Sequence, residues 1–357
     1  MLPTSEPMKG KRDRLILCHC PHLFYMNLFR LWLLLVCLQS LTSLPAQDEV
    51  GRLCMVWYNV ENLFYPQNDS LSGDDEFTPE GVRHWTWFRY RAKLTALAKV
   101  IIAAGRGEAP EVVGLCEVED ARVLEELVAH PILAPYQYSF LHKDGPDHRG
   151  MEVACLIRPE RSGPLQWECK SFKFPVVATR DIMHIFFRWG TDSLDLFLVH
   201  LVSRYGGAGA TAEIRRIQTE QLLHCMDSVH ALRQEGILMA AGDFNAEFMA
   251  YSMEPVRNAR FGPDSLIPLI PAAGKGSYKY RGLWSPIDQF LVSSSLQLSR
   301  VSCTTLQLLP LMTKDLKFGG LKPKRTYEGY LYRGGISDHL PLVVNLYPSC
   351  SSVPDGQ

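Results

Sequence analysis

The sequence predicts an α/β fold with mixed β-sheets, organised as one domain from about residue 50 to residue 348. Three observations support this prediction. Apolar strand-like segments alternate with helix-like segments throughout the range. The chain of 357 residues is 46% hydrophobic and 21% charged, which is ordinary for a globular protein with a sizeable core. No internal repeat and no Pro/Ser-rich linker divides it.

Each element is assigned from its hydrophobic period and its end signals. In chain order, the pattern predicts a strand at 54–64, a helix at 87–105, a strand at 111–120, a short helix at 122–130, and strands at 151–159 and 194–204. It then predicts a long amphipathic helix at 211–236, a strand running into a loop at 237–245, and strands at 287–293 and 340–347. Helices and hairpin-like strand pairs both occur, which favours mixed sheets.

The N-terminal segment predicts export. An apolar run, Leu31–Leu38, follows a single arginine and is shorter than the roughly 20 residues that span a bilayer. Small residues follow up to Ala46, an order typical of a secretory signal peptide cleaved there. The protein is therefore expected in the periplasm or outside the cell. Lipoprotein anchoring at Cys37 is the alternative, although Val36 is a poor residue before such a cleavage site.

Two terminal segments are expected to lie outside the domain. Residues 1–46 comprise the signal peptide and a preceding extension, interpreted as an over-extended gene start, and are expected to be absent from the mature protein. Residues 349–357, "SCSSVPDGQ", are expected to form a loose tail.

The charge balance restricts the possible partners. The net charge is −1 and the pI is near 6.8, so no global basic field attracts the protein to nucleic acid. Any phosphate binding must therefore come from a local site. No feature indicates a stable protein partner, and a monomer is expected.

The cysteines do not indicate a metal site or a disulfide framework. The ten cysteines are irregularly spaced and include no CxxC pair. Cys116 and Cys155 lie in apolar strand-like runs and are expected to be small core residues.

Polar residues recur where the apolar strands end. They are Asn59 and Glu61, Glu117, His200 with Arg204 beyond it, Asp243 and Asn245, Asp288, and the pair Asp338 and His339. Each has an ordinary structural explanation, since an aspartate after glycine commonly forms a turn and a histidine in a strand is commonly a core residue. Their repeated occurrence at strand ends, where α/β folds build sites, favours a functional explanation.

The chemistry that suits these residues is phosphoester hydrolysis. Carboxylate and amide oxygens are hard ligands suited to Mg²⁺, which can neutralise a phosphate and orient a leaving group. A histidine can stabilise developing charge or protonate the leaving oxygen, and a carboxylate can activate water. The sequence contains no nucleophile elbow and no P-loop, which favours direct attack by water.

Seven segments occur in one order over about residues 52 to 347: "YNVENLF", "GLCEVED", "RGMEVACLIRP", "HLVSRYGG", "AAGDFN", "IDQFLVS" and "ISDHLPL". Together, and in this order, they resemble the endonuclease/exonuclease/phosphatase superfamily, and most closely its secreted bacterial branch. The resemblance implies a deoxyribonuclease I-like four-layer α/β sandwich, in which two mixed sheets pack face to face with helices outside.

The resemblance also implies a role for each residue. Metal binding is implied for Glu117 as the principal Mg²⁺ ligand, with Mn²⁺ or Ca²⁺ as alternatives, and for Glu61 and Asp338. The resemblance implies catalytic roles for Asp243, which would act on the attacking water, and for Asn245, which would hold the phosphate. It also implies catalytic roles for His339, paired with Asp288, and for His200, which would be the leaving-group acid. Substrate binding is implied for Asn59 beside the metal, and for Arg204 and Arg149 on phosphate oxygens.

Some neighbouring residues depart from that branch. "HLVSRYGG" stands where "HWPSRRGG" is usual, "IDQF" replaces "IDHI", and "GDFN" continues into "AEFMAYS". These changes leave the predicted catalytic positions intact and put the substrate contacts in doubt.

The sequence leaves three functions open. The first is an exported, metal-dependent endonuclease acting on nucleic acid, for which "KGSYKYRGLW" offers charge and stacking surface. The second is a lipid or small-molecule phosphoesterase, although the sequence shows no convincing apolar surface hairpin for lipid. The third is an inactive binding module, which retention of every catalytic position argues against.

Overall fold

The computed structural model describes residues 51–68, 73–147, 149–158, 166–174, 179–189, 192–207, 209–233, 236–271, 276–296 and 298–347. They belong to the compact unit formed by residues 49–357. The predicted signal peptide and the predicted C-terminal tail lie outside the described residues.

The strands fall close to the positions that the periodicity predicts, with additional short strands between them. They are β1 (Leu53–Leu63), β2 (Val112–Val118), β3 (Ser139–His142), β4 (Glu152–Ile157), β5 (Gln166–Phe172), β6 (Ile182–Trp189), β7 (Asp192–His200), β8 (Ile237–Asp243), β9 (Leu266–Pro268), β10 (Tyr278–Tyr280), β11 (Leu283–Ser285), β12 (Asp288–Ser293), β13 (Val301–Thr305), β14 (Met312–Lys314), β15 (Leu321–Pro323), β16 (Tyr327–Glu328), β17 (Leu331–Tyr332) and β18 (Leu342–Leu346).

The α-helices are α1 (Trp87–Ala104), α2 (Ala121–Val128), α3 (Ala212–Leu232) and α4 (Glu254–Asn258), and short 3₁₀ helices occur at Asp75–Phe77, Ala134–Tyr136, Tyr251–Met253, Leu298–Arg300 and Leu309–Leu311. Thr86 caps α1 and Asp120 caps α2, since each side chain accepts a hydrogen bond from a backbone N–H of the first turn. No helix in the described part of the chain is both long enough and apolar enough to cross a membrane.

Two six-stranded mixed sheets form the body of the fold. The first has the order β13-β18-β1-β2-β4-β3, and the second has the order β5-β6-β7-β8-β12-β9. The pairs β1–β2 and β7–β8 are parallel, and the other pairs in the two sheets are antiparallel. Three two-stranded hairpins, β10–β11, β14–β15 and β16–β17, lie outside the large sheets.

Three separate apolar clusters explain the layering. One lies between the sheets and contains alternate residues of β1 and β7, such as Trp57 and Leu198. A second includes buried residues of α1 and α2, and a third includes buried residues of α3 and α4. Each sheet is thus covered by helices on one face and by the other sheet on its opposite face. The predicted four-layer α/β sandwich is confirmed.

Cys116 and Cys155 agree with the expectation for small core residues. Cys116 and Cys155 are buried with free thiols, and Cys169 is exposed. Burial raises the pKa of both core thiols, which keeps them protonated and unreactive.

Candidate active site

Three of the predicted site residues form a row across the second sheet. His200 is the last residue of β7, Asp243 the last of β8 and Asp288 the first of β12. The strand register pairs His200 with Asp243 and Asp243 with Asp288. Because neighbouring strands lie about 4.8 Å apart, the register alone brings the three side chains to one sheet edge.

The first sheet contributes its residues through two bulges. The register between β1 and β2 shifts after Asn59, and the register between β2 and β4 shifts after Cys116. Glu61 and Glu117, next to these shifts, adopt left-handed backbone angles, with φ of 51° and 63°. Such angles are rare for residues other than glycine and re-aim the side chains of a strand. The bulges thus direct these carboxylates away from the regular pleat.

The bulge in β1 gives Asn59 and Glu61 different surroundings. Strict alternation would place Asn59 and Glu61 in one common environment. In the structure, Asn59 Nδ2 donates to Glu117 Oε1 and Asp243 Oδ2, both at 3.1 Å. Glu61 instead accepts from Arg325 Nε at 3.2 Å and from the Thr326 backbone N–H at 2.6 Å. The two side chains are both buried, but they have different partners.

Asp243 lies at the centre of the site. Its Oδ2 atom faces the Asn59 amide and lies 3.8 Å from Nε2 of both His200 and His339. Its Oδ1 atom accepts from the Asn245 backbone N–H at 2.9 Å. Burial, and then the negative charge of Asp288, raise the pKa of Asp243 to about 7. A carboxylate with such a pKa is suited to exchange a proton near neutral pH.

His339 and Asp288 form a tightly bonded pair. His339 Nδ1 lies 2.6 Å from Asp288 Oδ2, and the Trp57 indole N–H donates to Asp288 Oδ1 at 2.9 Å. The Ser277 hydroxyl also donates to Asp288. Burial by itself lowers the pKa of His339, but the carboxylates of Asp288 and Asp243 outweigh it and raise the pKa well above its ordinary value. His339 is therefore an imidazolium whose Nε2–H points toward Asp243.

His200 has the opposite electrostatic environment. Burial, and then the positive charges of Arg180 and Arg149, lower its pKa well below the ordinary value. Its Nδ1 atom has no hydrogen-bond partner among the described residues. His200 is therefore neutral at neutral pH, and a leaving-group acid at this position would need a bound phosphate anion to raise its pKa.

An arginine forms ion pairs with two of the three predicted metal ligands. Arg325 pairs with Glu61 at 3.2 Å and with Asp338 at 2.6 Å. Glu117 is not part of this ion pair: its carboxylate is 18% exposed and accepts from the Asn62 backbone N–H at 2.8 Å. Among the described residues no arginine pairs with Glu117, whereas a metal bound to Glu61 or Asp338 would compete with Arg325.

A buried lysine lies beneath the same carboxylates. Lys93 of α1 is 3% exposed and donates to the Glu61 carbonyl oxygen and to Thr326 Oγ1. Burial lowers its pKa to about 8, while the nearby charges of Glu61, Glu117 and Asp338 act in the opposite direction. Lys93 thus offsets part of the negative charge that these three carboxylates concentrate.

The candidate ligands around Asp243 differ in how well they suit a divalent cation. Atoms of Asp243, Asp288 and His339 lie within 4.8 Å of one another, but Asp288 already accepts three hydrogen bonds and His339 carries a positive charge. This trio is therefore a poor cation site. The partly exposed Glu117 carboxylate, with the other acidic oxygens nearby, provides the hard donors that Mg²⁺ prefers.

The remaining predicted residues lie at the rim of the site. Asn245 donates from its side chain to the Leu201 carbonyl oxygen at 3.1 Å, which places it as an anchor of the loop after β8. Arg204 donates to the Asn245 carbonyl oxygen at 2.7 Å and lines a cavity of about 380 Å³ beside it. Arg149 is half-buried in the loop before β4, near enough to influence His200.

Sequence reasoning missed several residues that support the site. They are Trp57 and Ser277 on Asp288, Lys93 and Arg325 among the acidic ligands, and Arg180 beside His200. One had a usable signal, because Lys93 interrupts the apolar stripe that Tyr90 and Leu97 form on α1. Trp57 lies in a predicted strand, whose pattern gives no sign of the hydrogen bond that the indole donates. Ser277, Arg180 and Arg325 come from segments without a distinctive pattern.

The family is identified by comparison with known proteins. The model of the Endonuclease/Exonuclease/phosphatase family matches residues 54–347. The chain belongs to this family. Its members hydrolyse phosphoester bonds. No curated protein sequence matches the chain.

Several solved structures share the fold at low sequence identity. D. rerio TDP2 in complex with a single-strand DNA product is 15% identical and covers 84% of this chain and 100% of that chain, with a TM-score of 0.53. The human Nocturnin catalytic domain with bound sulfate is 16% identical, and the match covers 84% of this chain and 96% of that chain with a TM-score of 0.50. A mannosyl-6-phosphatase from Bacteroides thetaiotaomicron is 15% identical, and the match covers 82% of this chain and 98% of that chain with a TM-score of 0.50. At these identities the likeness shows the fold alone.

Proposed function

We propose that the protein is an exported, divalent-metal-dependent endonuclease that hydrolyses phosphodiester bonds by direct attack of water. The observation that carries the proposal is the convergence on Asp243, where one neutral imidazole, one protonated imidazole and one amide face a single buried carboxylate oxygen. The substrate-binding residues and the exported location rest on the sequence patterns.

In the proposed reaction, Asp243 and the side chains that face it each have a distinct role. Asp243, with a pKa of about 7, accepts a proton from the attacking water. The His339 imidazolium, held by Asp288, donates a hydrogen bond to a phosphate oxygen and stabilises the charge of the transition state. The Asn59 amide is oriented by the hydrogen bond that its Oδ1 accepts from the Glu61 backbone N–H, and its Nδ2 donates to Glu117 and Asp243. For Asn59 to bind a phosphate oxygen, one of these two donated bonds must exchange for the substrate.

A divalent cation would be held by Glu117, with Glu61 and Asp338 as further acidic ligands. Bound there, it would supply a Lewis acid that neutralises the phosphate. His200 remains neutral until substrate binds, and the phosphate anion then raises its pKa toward the range in which it protonates the leaving oxygen.

A lipid phosphodiesterase is the second candidate, and one observation favours it. The tips of the β10–β11 and β14–β15 hairpins touch where Gly282 packs on Phe318, and they expose large apolar side chains. Leu316 is 93% exposed, Leu283 is 76% exposed and Phe318 is 47% exposed. The sequence alone gave no convincing apolar hairpin, because these strands are only three residues long. Exposed patches of this kind mark interaction surfaces.

Substitution of Glu117 tests the proposed metal dependence. Glu117→Gln should reduce cleavage of plasmid DNA at least about a hundredfold, since the loss of one charged ligand weakens binding of the cation. The thermal shift that Mg²⁺ produces in the wild type should also disappear, while the melting temperature without Mg²⁺ stays close to that of the wild type. Glu125→Gln, at an exposed position of α2, is the matched control.

The substrate panel separates the candidate functions. Wild-type protein is assayed with plasmid DNA, RNA, sphingomyelin vesicles and bis(4-nitrophenyl) phosphate, with and without EDTA. Cleavage of nucleic acid that EDTA abolishes is expected. Full activity in EDTA would refute the metal mechanism, and hydrolysis of sphingomyelin without nuclease activity would select the lipid enzyme.

A further inference from the structure

A strongly basic cleft lies next to the active site. It has a volume of about 290 Å³ and is bordered by the β14–β15 and β16–β17 hairpins. Two carboxylates, those of Asp315 and Glu328, also line it. The cationic side chains of this lysine cleft are those of Lys314, Lys317, Lys322, Lys324, Arg325 and Arg333. Such a concentration is unusual in a chain whose net charge is −1.

The two carboxylates do not neutralise the cleft. Glu328 pairs with Lys322 at 2.6 Å and with Arg333 at 2.8 Å. Asp315 pairs with Lys279, a residue of β10. Lys314, Lys317 and Lys324 form no ion pair with any residue that the structure describes. Three lysine charges therefore remain available for an anionic ligand.

The hairpin that carries these lysines is held in place. The Asp315 carboxylate accepts hydrogen bonds from the backbone N–H groups of Lys317 and Phe318, at 3.2 Å and 3.0 Å. Lys279 fixes the same tip from the neighbouring hairpin, with its Nζ 3.0 Å from Asp315 and 2.7 Å from the Gly319 carbonyl oxygen. A ligand would meet a pre-organised backbone, which reduces the entropic cost of binding.

Arg325 joins the lysine cleft to the catalytic residues. It lines the cleft, and its guanidinium also contacts Asp338, whose Oδ1 lies 3.9 Å from His339 Nε2. An anionic chain that leaves the phosphate site on this side therefore enters the cleft directly.

We propose that the lysine cleft binds backbone phosphates of a nucleic-acid strand on one side of the scissile bond, an inference that rests on the proposed nuclease function. Three unpaired lysines suit a repeating polyanion better than a single phosphate group. Phe318 and Tyr330, 47% and 63% exposed on the adjoining hairpin tips, add aromatic surface beside these charges, with Lys317 Nζ 5.2 Å from the Phe318 ring centroid and the Arg83 guanidinium 5.2 Å from that of Tyr330. A bilayer is the poorer fit to the lysines, because they line a concave cleft and not a protruding surface.

A triple substitution tests the cleft. Lys314, Lys317 and Lys324 are changed together to Gln, and the control changes Lys99, Lys170 and Lys173, exposed lysines of other elements, in the same way. For a single-stranded oligonucleotide, the cleft variant should raise KM about tenfold with kcat unchanged, and should reduce the slope of log affinity against log salt by about 2. Hydrolysis of bis(4-nitrophenyl) phosphate, which is too small to reach the cleft, should not change.

The outcomes distinguish the cleft from the catalytic proposal. Equal KM values and equal salt slopes for the two triple variants would overturn the cleft assignment. If the wild type cleaves no nucleic acid, the nuclease function fails, and oligonucleotide binding measured by fluorescence anisotropy still decides the cleft by the same comparison. Loss of binding to phosphatidylserine vesicles, with oligonucleotide binding intact, would overturn the assignment in favour of a membrane contact.

Discussion

At the scale of single residues, the site depends on the difference between its two histidines. Both are buried, and burial lowers the pKa of each. His339 has a carboxylate 2.6 Å from its ring nitrogen, whereas the positive charges of Arg180 and Arg149 act on His200, whose Nδ1 has no partner among the described residues. Neighbouring charge, and not burial, therefore decides which imidazole is protonated.

Removal of the Asp288 charge tests this account. Asp288→Asn should lower kcat by about a hundredfold, because it deprives His339 of the charge that keeps it protonated. Since Asp288 raises the pKa of His339, activity that requires the imidazolium is present at low pH and is lost as pH rises through that pKa. In the variant, the alkaline limb of the pH–rate profile should move to lower pH.

Ser277→Ala provides the control for this prediction. It removes the hydroxyl that donates to the Asp288 carboxylate and accepts from the Asp288 backbone N–H, but it removes no charge, so the alkaline limb should stay in place. An unchanged limb in Asp288→Asn as well would mean that His339 does not act as an imidazolium.

The residue types were more predictable than their partners. Asn59, Glu117, His200, Asp243, Asp288 and His339 are gathered as the motifs suggested, since strand register converts spacing in the sequence into proximity. The pairing of Glu61 with Arg325, from a segment 264 positions away, could not be predicted because no periodicity connects the two. The roles assigned to the residues by resemblance stay predictions.

At the scale of elements, the site requires close contact between β7 and β8. A Cβ atom at Gly242 would lie 2.3 Å from the Val199 carbonyl oxygen and 2.5 Å from its Cγ2 atom. Gly242 directly precedes Asp243, and Val199 directly precedes His200. Because Gly242 has no side chain, β7 and β8 can approach closely at this point. This close approach determines the distance between the catalytic candidates His200 and Asp243.

Gly242→Ala should disturb stability and activity together. The added methyl group forces β7 and β8 apart, which should cost about 1–3 kcal/mol of unfolding free energy and reduce kcat as His200 moves relative to Asp243. Thermal unfolding and steady-state kinetics measure the two effects. Gly209→Ala is the control, because no atom lies within 4 Å of its added Cβ. Wild-type values in Gly242→Ala would show that the strands accommodate the methyl group without displacing the site.

The long elements were predicted more closely than the short ones. The helix predicted at 87–105 is observed as α1, Trp87–Ala104, because eighteen residues with an apolar stripe give a strong signal. The helix predicted at 211–236 ends earlier, at Leu232. Strand β6 was missed although it is an apolar run, and the two- and three-residue hairpin strands have no period to detect. Lys279 links two of these hairpins, β10–β11 and β14–β15, through Asp315 and the Gly319 carbonyl oxygen.

At the scale of the whole molecule, the candidate site joins the two sheets. Asn59 and Glu117 come from the first sheet, whereas His200, Asp243 and Asp288 come from the second. The geometry of the site is therefore a property of how the sandwich packs. The fold class was predictable because alternating elements and family motifs agree, but this inter-sheet contact was not, since nothing in a strand pattern gives the separation of two sheets.

Trp57 is the direct link between the packing and the chemistry. Its indole lies fully buried in the core between the sheets, and its N–H crosses from β1 to donate to Asp288 Oδ1 at 2.9 Å. Trp57→Phe should leave that oxygen without a donor and lower the unfolding free energy by about 1–3 kcal/mol. It should also lower kcat, because a less constrained Asp288 holds His339 less firmly.

Met55→Leu separates this effect from a general loss of packing. Met55 is buried in the same inter-sheet core on the same strand, and a volume-conserving change there should cost less than about 1.5 kcal/mol and leave kcat unaltered. Both variants are assayed well below their unfolding temperatures, so that a fall in kcat reports geometry and not unfolding. If Trp57→Phe is destabilised yet retains the wild-type kcat, the remaining bonds to Asp288 suffice to orient His339, and the inter-sheet hydrogen bond serves stability alone.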